Sequence, residues 1–260
     1  MRDFVSRCMR HRGLQPLWQW LHGVSLVGMN FWANQLTSTG ELQAARYVAR
    51  KLSGTRRPVI FDVGANIGDF SEFCCETFGD CEVHAFEPSL ATYEMLTNNL
   101  KRAKVDAQTH YLGFSDAERD ARLYSSEPGS TIASLHELQR PIRPFRDELT
   151  EVVRLTTIDA FCHKQGIERI DYLKLDIEGH EYYALRGANR MLAARLIRFI
   201  QFEFGDNNVS SRTYLDDFER LLGESYRIYR IVPGGLVPWN YGGGRSEIFA
   251  TMNYLCERRD

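Results

Sequence analysis

Apolar positions along this chain alternate between two patterns: short continuous or period-two runs, and recurrences every three to four residues. Leu42, Ala45, Val48, Ala49 and Leu52 recur at helical spacing, which predicts a helix over Glu41–Leu52 that Ser53-Gly54-Thr55 ends. Val59–Val63 is a β-branched and aromatic run of the kind that forms a strand covered on both faces. Cys81–Phe86 predicts a second strand that Pro88 stops, with Ser89 as cap of a helix over Leu90–Lys101. A third strand is expected over Val105–Phe114 and an added one over Arg119–Tyr124. Val152–Ile158 alternates and reads as an edge strand, followed by a helix over Ile158–Lys164 that Gly166 ends. Ile170–Asp176 and Leu196–Phe204 predict the fourth and fifth core strands, with one helix over Glu181–Leu192 between them. An amphipathic helix over Tyr214–Leu222 precedes two last strands, Tyr226–Val232 and Ile248–Leu255, expected as an antiparallel pair. Strands alternating with helices imply an α/β fold, a doubly wound, mostly parallel sheet with ligands at the carboxyl ends of its strands.

The least regular stretch is Ser125–Thr150, punctuated by Pro128, Gly129, Pro141 and Pro144, and it reads as a substrate-side lid. The N-terminus differs again. Arg2, Arg7, Arg10 and Arg12 precede an aromatic-rich stretch from Leu14 to Trp32. Gln15, Pro16, Gln19, His22 and Asn30 interrupt its apolar run, which argues against a signal peptide or a membrane span. An amphipathic helical extension packing on the main domain is expected; a basic, Trp-bearing helix resting on a membrane surface is the alternative.

The glycine turn narrows the chemistry. Val63-Gly64-Ala65-Asn66-Ile67-Gly68 links the first strand to a helix, where glycines let backbone approach a ligand closely. A dinucleotide fingerprint would read G-x-G-x-x-G and place a pyrophosphate on the helix N-terminus. This turn reads G-x-x-x-G and is flanked by Asp62 and Asp69, poor neighbours for a pyrophosphate. The acids suit a cationic, hydroxyl-bearing ligand such as S-adenosylmethionine. Glu87, at the end of the second strand, is placed to accept hydrogen bonds from ribose hydroxyls.

Composition changes the picture only by exclusion. The formal net charge of −2 gives no electrostatic case for a nucleic-acid partner. Six cysteines without C-x-x-C spacing read as reduced thiols, consistent with a cytoplasmic location, and not as a zinc site or a disulfide frame.

The blocks Asp62-Val63-Gly64-Ala65-Asn66-Ile67-Gly68, Phe86-Glu87-Pro88 and Leu173-Lys174-Leu175-Asp176-Ile177-Glu178-Gly179-His180-Glu181 together resemble the FkbM family of S-adenosylmethionine-dependent methyltransferases. The similarity runs from about Gly40 to the C-terminus, and D-x-E-G-x-E is its most family-specific piece. The resemblance implies a Rossmann-like class I methyltransferase fold with a mostly parallel seven-stranded sheet. Residues 1–55 would be a helical extension and residues 56–260 the cofactor-binding domain. It also implies O-methylation of a small-molecule or glycan acceptor, a hydroxyl of a sugar, glycan or natural product. Glu41, after Gly40, matches a family Gly-Glu pair and could reach the cofactor's amino end; Ser130, Ser134, Asn253 and Tyr254 match polar positions in the lid and the last strand.

Within that fold, Asp62, Gly64, Asn66 and Gly68 are expected at the cofactor's methionine end, Glu87 at the ribose, and Ser115-Asp116 near the adenine. An alcohol needs a base or a metal to become a nucleophile. Asp176, Glu178, His180, Glu181 and Glu203 are the candidate bases or acceptor anchors, and Asp176 with Glu203 could instead hold a divalent cation, Mg or Mn, through oxygen ligands. Glu181 reads equally as a helix-start acid and His180 as a turn residue. Two other functions share this outline: a nicotinamide-dependent oxidoreductase, and a Rossmann-like cofactor-binding protein without methyl transfer.

Overall fold

The structure, a computed structural model, describes residues 9–33, 36–125, 133–136 and 149–260. Much of the expected lid, with Ser130, lies outside them, as do Arg2 and Arg7. In chain order the elements are α1 (Gln15–Gly28), α2 (Glu41–Lys51), β1 (Val59–Val63), α3 (Asp69–Phe78), β2 (Glu82–Phe86), α4 (Leu90–Ala103), β3 (Ala107–His110), β4 (Gly113–Phe114), β5 (Arg119–Ser125), β6 (Ala133–Ser134) and β7 (Leu149–Thr156). There follow α5 (Ile158–Gln165), β8 (Ile170–Leu175), α6 (Glu181–Arg186), α7 (Asn189–Ala193), β9 (Ile197–Phe204), α8 (Asn207–Ser211), α9 (Leu215–Leu222), β10 (Tyr226–Val232), β11 (Gly235–Pro238) and β12 (Met252–Arg258).

The main sheet runs β11-β10-β12-β9-β8-β1-β2-β3. Strands β3, β2, β1, β8 and β9 are parallel, and β12 lies antiparallel between β9 and β10. This is the expected doubly wound α/β architecture, with eight described strands where seven were expected; β11 is the addition. The chain leaves β1 toward β2 and β3, then returns to place β8 on the other side of β1. That reversal opens a crevice beyond the carboxyl ends of β1 and β8, where ligands of such sheets bind.

Period two along the strands sorts side chains onto two faces. Ile60, Tyr172 and Phe199 join Ala44, Ala45 and Val48 of α2 and Phe70 and Cys74 of α3 in one core. Their neighbours Phe61, Leu173 and Ile200 point to the opposite core, under α5, α6 and α9. Helix α2 therefore shares a core with the sheet. Its first residue follows Gly40, at φ +91°, where a Cβ would lie 2.6 Å from the carbonyl carbon and oxygen of Val232.

Several expected boundaries move for identifiable reasons. The stretch read as one third strand divides: β3 joins the main sheet, while β4 pairs with β7 in a second sheet ordered β4-β7-β5-β6. Strand β7 is thus an interior strand of that small sheet, with β5 antiparallel on one side and β4 parallel on the other, and not an edge. The helix expected over Glu181–Leu192 breaks into α6 and α7 at Gly187-Ala188, where the chain passes so close to Ser115 that a Cβ on Gly187 would sit 2.1 Å from the Ser115 carbonyl oxygen. The last strand lies further along than expected, because Met252–Glu257 register with Phe199–Phe204 of β9. Helix α1 is present but does not pack along its length on the domain: Leu26 is its one buried residue.

Replacing Gly40 by alanine tests the docking of α2. A Cβ at that positive φ is both strained and in contact with backbone that cannot rotate away. The variant is expected to lose roughly 1–3 kcal/mol in urea unfolding; an unchanged midpoint would show that the Val232 turn yields freely.

Candidate active site

Two adjoining cavities lie at the crevice, sharing Gly64, Asn66, Asp176 and Glu178 in their walls. The smaller, about 100 Å³, is mostly apolar: Pro88, Gly113, Phe114, Leu123, Leu135 and Leu155 surround the carboxylate of Glu87. The larger, about 540 Å³, is lined by Glu41, Asp62, Asp69, Asp176, Glu178, Glu203 and Asp206, with Lys174 as its one cation among the described residues. Trp32, Leu36 and Thr39, from the segment after α1, complete its wall.

The turn after β1 is built by backbone. The Gly64 and Ala65 amides both donate to the Phe86 carbonyl at 3.0 Å, fastening the turn to β2. A Cβ on Gly64, at φ +79°, would fall 1.9 Å from the Asp176 carbonyl oxygen. The glycine is thus demanded by the meeting of two strand ends, whether or not a ligand is bound. Gly68, at φ +101°, leaves room for Leu96 and Leu100 of α4. Asn66 adopts φ +50°, donates its amide to Glu87 Oε2 at 3.2 Å, and leaves its own buried Oδ1 without a hydrogen bond among the described residues.

Glu87 is buried, and its other oxygen accepts the Ser89 amide at 3.0 Å. Ser89 occupies the cap position of α4, but its side chain makes no capping bond. Burial pushes the Glu87 carboxyl up to about 7 against those two amides. A carboxylate has room for further donors beyond one per oxygen.

Asp62 is fully buried, with Oδ2 taking the Ser71 hydroxyl at 2.7 Å and Oδ1 taking no hydrogen bond among the described residues. Its nearest cation is Lys174 Nζ, 3.9 Å away. The same ammonium donates to Asp176 Oδ2 at 2.9 Å and lies 5.0 Å from the Phe70 ring centroid. Burial raises the Asp62 carboxyl, because Lys174 is too distant to offset lost hydration fully. Burial also acts to lower Lys174, but Asp176, Asp62 and Glu41 outweigh it, and the net shift is upward: the amine stays charged. Glu41 accepts Thr39 Oγ1 and Gln201 Nε2, each at 2.8 Å, and Gln201 in turn accepts the Tyr172 hydroxyl. Lys174 falls inside the block that resembles the family, but the sequence assigns it no role; its signal there is its place in an apolar strand, where a buried lysine demands paired acids.

The remaining sequence candidates separate. Asp176, Glu178 and Glu203 face the large cavity. Glu178, at φ +54°, receives the Asn207 side-chain amide. Glu203 lies on β9 opposite Asn253, and burial, then Asp176 and Glu178, hold its carboxyl well above the usual range. The Oδ1 of Asn253, on β12, is buried and without a hydrogen bond among the described residues. His180 lines neither cavity. Its ring is clamped between Ser115 Oγ at 2.9 Å and His136 Nε2 at 3.0 Å, and burial lowers it to about 3. Glu181 receives the Ile177 and Gly179 amides at 2.9 and 3.1 Å and shapes the turn. Ser115 and Asp116 also lie off the two cavities; Asp116 meets Arg119 at 2.9 Å, while Gly113 and Phe114 reach the smaller cavity. Ser134 donates to the Glu178 carbonyl at 2.8 Å, and Tyr254 is core, 5.3 Å from the Phe202 ring.

The donor set suits a cationic, hydroxyl-bearing cofactor at the glycine turn: a carboxylate and an orphaned amide oxygen in one cavity, an excess of acids in the next. It suits a divalent cation less well. Among the described residues no three His, Cys, Asp or Glu side chains are grouped to hold a metal, and Asp176 already faces an ammonium.

Comparison with known proteins gives one match to a family model, that of the methyltransferase FkbM domain, over residues 62–230. The 31-O-demethyl-FK506 methyltransferase FkbM of Streptomyces tacrolimicus is 31% identical over 50% of this chain and 58% of its own length. The hexuronic acid methyltransferase AglP of Haloferax volcanii is 28% identical over 52% of this chain and 51% of its own. The chain thus spans little more than half the length of these relatives. Among solved structures, an rRNA methylase from Streptococcus thermophilus superposes with a TM-score of 0.47 at 10% identity, over 84% of this chain and 95% of that one.

Replacing Lys174 by methionine leaves Asp62 and Asp176 facing each other without a cation. Breaking such a buried pair is expected to cost about 3–5 kcal/mol at pH 8. Without Lys174 the Asp62 carboxyl, already raised by burial, rises further above its unfolded value, so the loss should shrink as pH falls and Asp62 protonates. Urea unfolding at pH 8 and pH 5 measures both; an equal loss at the two values would mean the lysine matters for packing alone.

Proposed function

This chain belongs to the FkbM family of methyltransferases, and we propose that it uses S-adenosylmethionine to methylate a hydroxyl group of a sugar, glycan or natural-product acceptor. The observation that carries the reading is the juxtaposition of the two cavities at the Gly64–Gly68 turn. The apolar one, with Glu87, has the chemistry for an adenosine group; the acid-lined one has the chemistry for the methionine ammonium, the sulfonium and a polyhydroxyl acceptor. S-adenosylmethionine supplies an electrophilic methyl on a positively charged sulfur. The acid excess opposes a pyrophosphate, which disfavours a nicotinamide cofactor. The two relatives, one named for 31-O-demethyl-FK506 and one for a hexuronic acid, support the acceptor class.

In this reading Glu87 and Asn66 hold the ribose side, Asp62, Glu41 and Lys174 order the methionine side, and Glu203 is the base. Glu203 is favoured over Asp176, because Asp176 is neutralised by Lys174, and over His180, which is tied to Ser115 and His136. Burial, Asp176 and Glu178 raise its carboxyl, and a sulfonium bound beside it would offset those acids and favour the ionised form that a base needs. The acceptor oxygen gives its proton to Glu203 as the new O–CH3 bond forms and the S–CH3 bond breaks, leaving S-adenosylhomocysteine. No metal step is included; Asp176 Oδ2 already takes the Lys174 ammonium at 2.9 Å.

Calorimetry with S-adenosylmethionine against NAD tests the cofactor, and S-adenosylhomocysteine release with a panel of hydroxylated acceptors tests the transfer. Two outcomes follow from the geometry. Ribose hydroxyls donate to the ionised form of Glu87, whose carboxyl burial holds near 7. Binding at pH 6 should therefore release a proton, and affinity should rise with pH toward 7. Glu87→Gln should abolish that release and weaken binding by roughly 1.5–3 kcal/mol. Calorimetry in two buffers of different ionisation enthalpy reads the proton count; an unchanged count in the variant removes Glu87 from the ribose.

Glu203→Gln keeps shape and removes the base. Turnover is expected to fall about 100- to 10,000-fold with cofactor affinity nearly intact. Chelator should leave the parent enzyme's rate unchanged. A Glu203→Gln variant that turns over at the parent rate would transfer the role to Asp176 or Glu178.

A further inference from the structure

Helix α1 wears its apolar side outward. At 100° per residue, Leu14, Leu17, Trp20, Leu21, Val24 and Val27 fall in one continuous arc of roughly 140°, and every one of them is exposed. Trp20 is 63% exposed, Val24 50% and Val27 65%. Leu26 alone is buried, Trp18 and Gly23 are half-buried, and Gln15 and Gln19 are exposed as well. A surface helix of a globular domain shows the reverse arrangement. An exposed apolar patch of this kind marks an interaction surface.

Charge indicates what covers it. From Gly13 to Gly40 the sequence contains no Asp, Glu, Lys or Arg. The twelve residues before it carry Arg2, Arg7, Arg10 and Arg12 against Asp3 alone, whereas the chain as a whole has a formal charge of −2. A second copy packed on this arc would offer the arginines no carboxylate anywhere along 13–40. An anionic headgroup layer offers phosphates beside the arginines and acyl chains beneath the arc, with tryptophans suited to the boundary between them. None of the described helices is long and apolar enough to cross a bilayer, so the helix would lie in the plane of the surface.

We propose that α1 docks on an anionic lipid bilayer, with its apolar arc in the headgroup–acyl boundary and Arg10 and Arg12 against lipid phosphates. The segment that leaves α1 is firmly attached to the domain. The Trp32 amide donates to the Thr251 carbonyl at 2.9 Å, and the Asn30 side chain donates to the Thr39 and Ile231 carbonyls at 2.9 and 3.1 Å. Trp32 and Thr251 both line the acid-rich cavity, so docking α1 sets that cavity close to the lipid surface.

The test uses the full chain and extruded vesicles of phosphatidylcholine, with and without phosphatidylglycerol, in flotation assays. Binding is expected to the anionic vesicles, weaker at high salt. Trp20→Glu with Val24→Glu should reduce partitioning about tenfold or more, with circular dichroism and S-adenosylmethionine affinity unchanged. Arg10→Glu with Arg12→Glu should lower binding to anionic vesicles while leaving the weak binding to neutral ones. Light scattering across protein concentrations provides the opposing arm. Failure to float with anionic vesicles overturns the proposal, as does a double glutamate variant that partitions like the parent. A concentration-dependent dimer that this variant dissolves, without vesicle binding, would give the arc to a second copy of the chain.

Discussion

Lys174 sits in β8 at the centre of the main sheet, and its ammonium group is cut off from bulk water. A charge in that position must be matched by acids held at fixed distances. Asp176 meets it from the end of its own strand and Asp62 from the neighbouring β1. Glu41 adds its field from α2, tied to β9 through Gln201. The ends of the two strands that flank the topological reversal are therefore set by one ion group. Gly64 and the Asp176 carbonyl can approach as closely as they do because the chain there is fixed on both sides.

The same group shapes the electrostatics of the crevice. It neutralises part of a wall that is otherwise acidic, while burial and the neighbouring acids hold the Glu203 carboxyl above its usual range. Desolvation and like charges both oppose ionisation at Glu203, and an arriving cation reverses that balance. A site of this kind is better matched to its ligand than to its own empty state. The buried amide oxygen of Asn66 and the carboxyl of Glu87 tell the same story in the smaller cavity.

The N-terminal segment is part of this arrangement. Helix α2 shares the core of the sheet, and Trp32, Leu36 and Thr39 form part of the cavity wall. Only α1 stands apart, with its polarity inverted relative to the domain. Trp32 and Thr39 thus belong both to the cavity wall and to the contacts that fasten the end of α1 to the domain.

The order of strands and helices, the glycine turn and the strand-end acids were legible in the sequence, because period, turn chemistry and charge are local properties. Asp62, Glu87, Asp176, Glu178 and Glu203 were legible as acids at the carboxyl edge for the same reason. The sequence could not show which acids share a cation, since Lys174 and Asp62 lie on different strands and meet only when β1 and β8 pair. Nor could it separate His180 and Ser115 from the cavities, because their hydrogen bond joins segments 65 residues apart. The division of the third strand between two sheets, the break at Gly187 and the outward face of α1 have the same origin. Each is decided by which surface comes to lie against which, and a period in the sequence fixes a face without naming its neighbour.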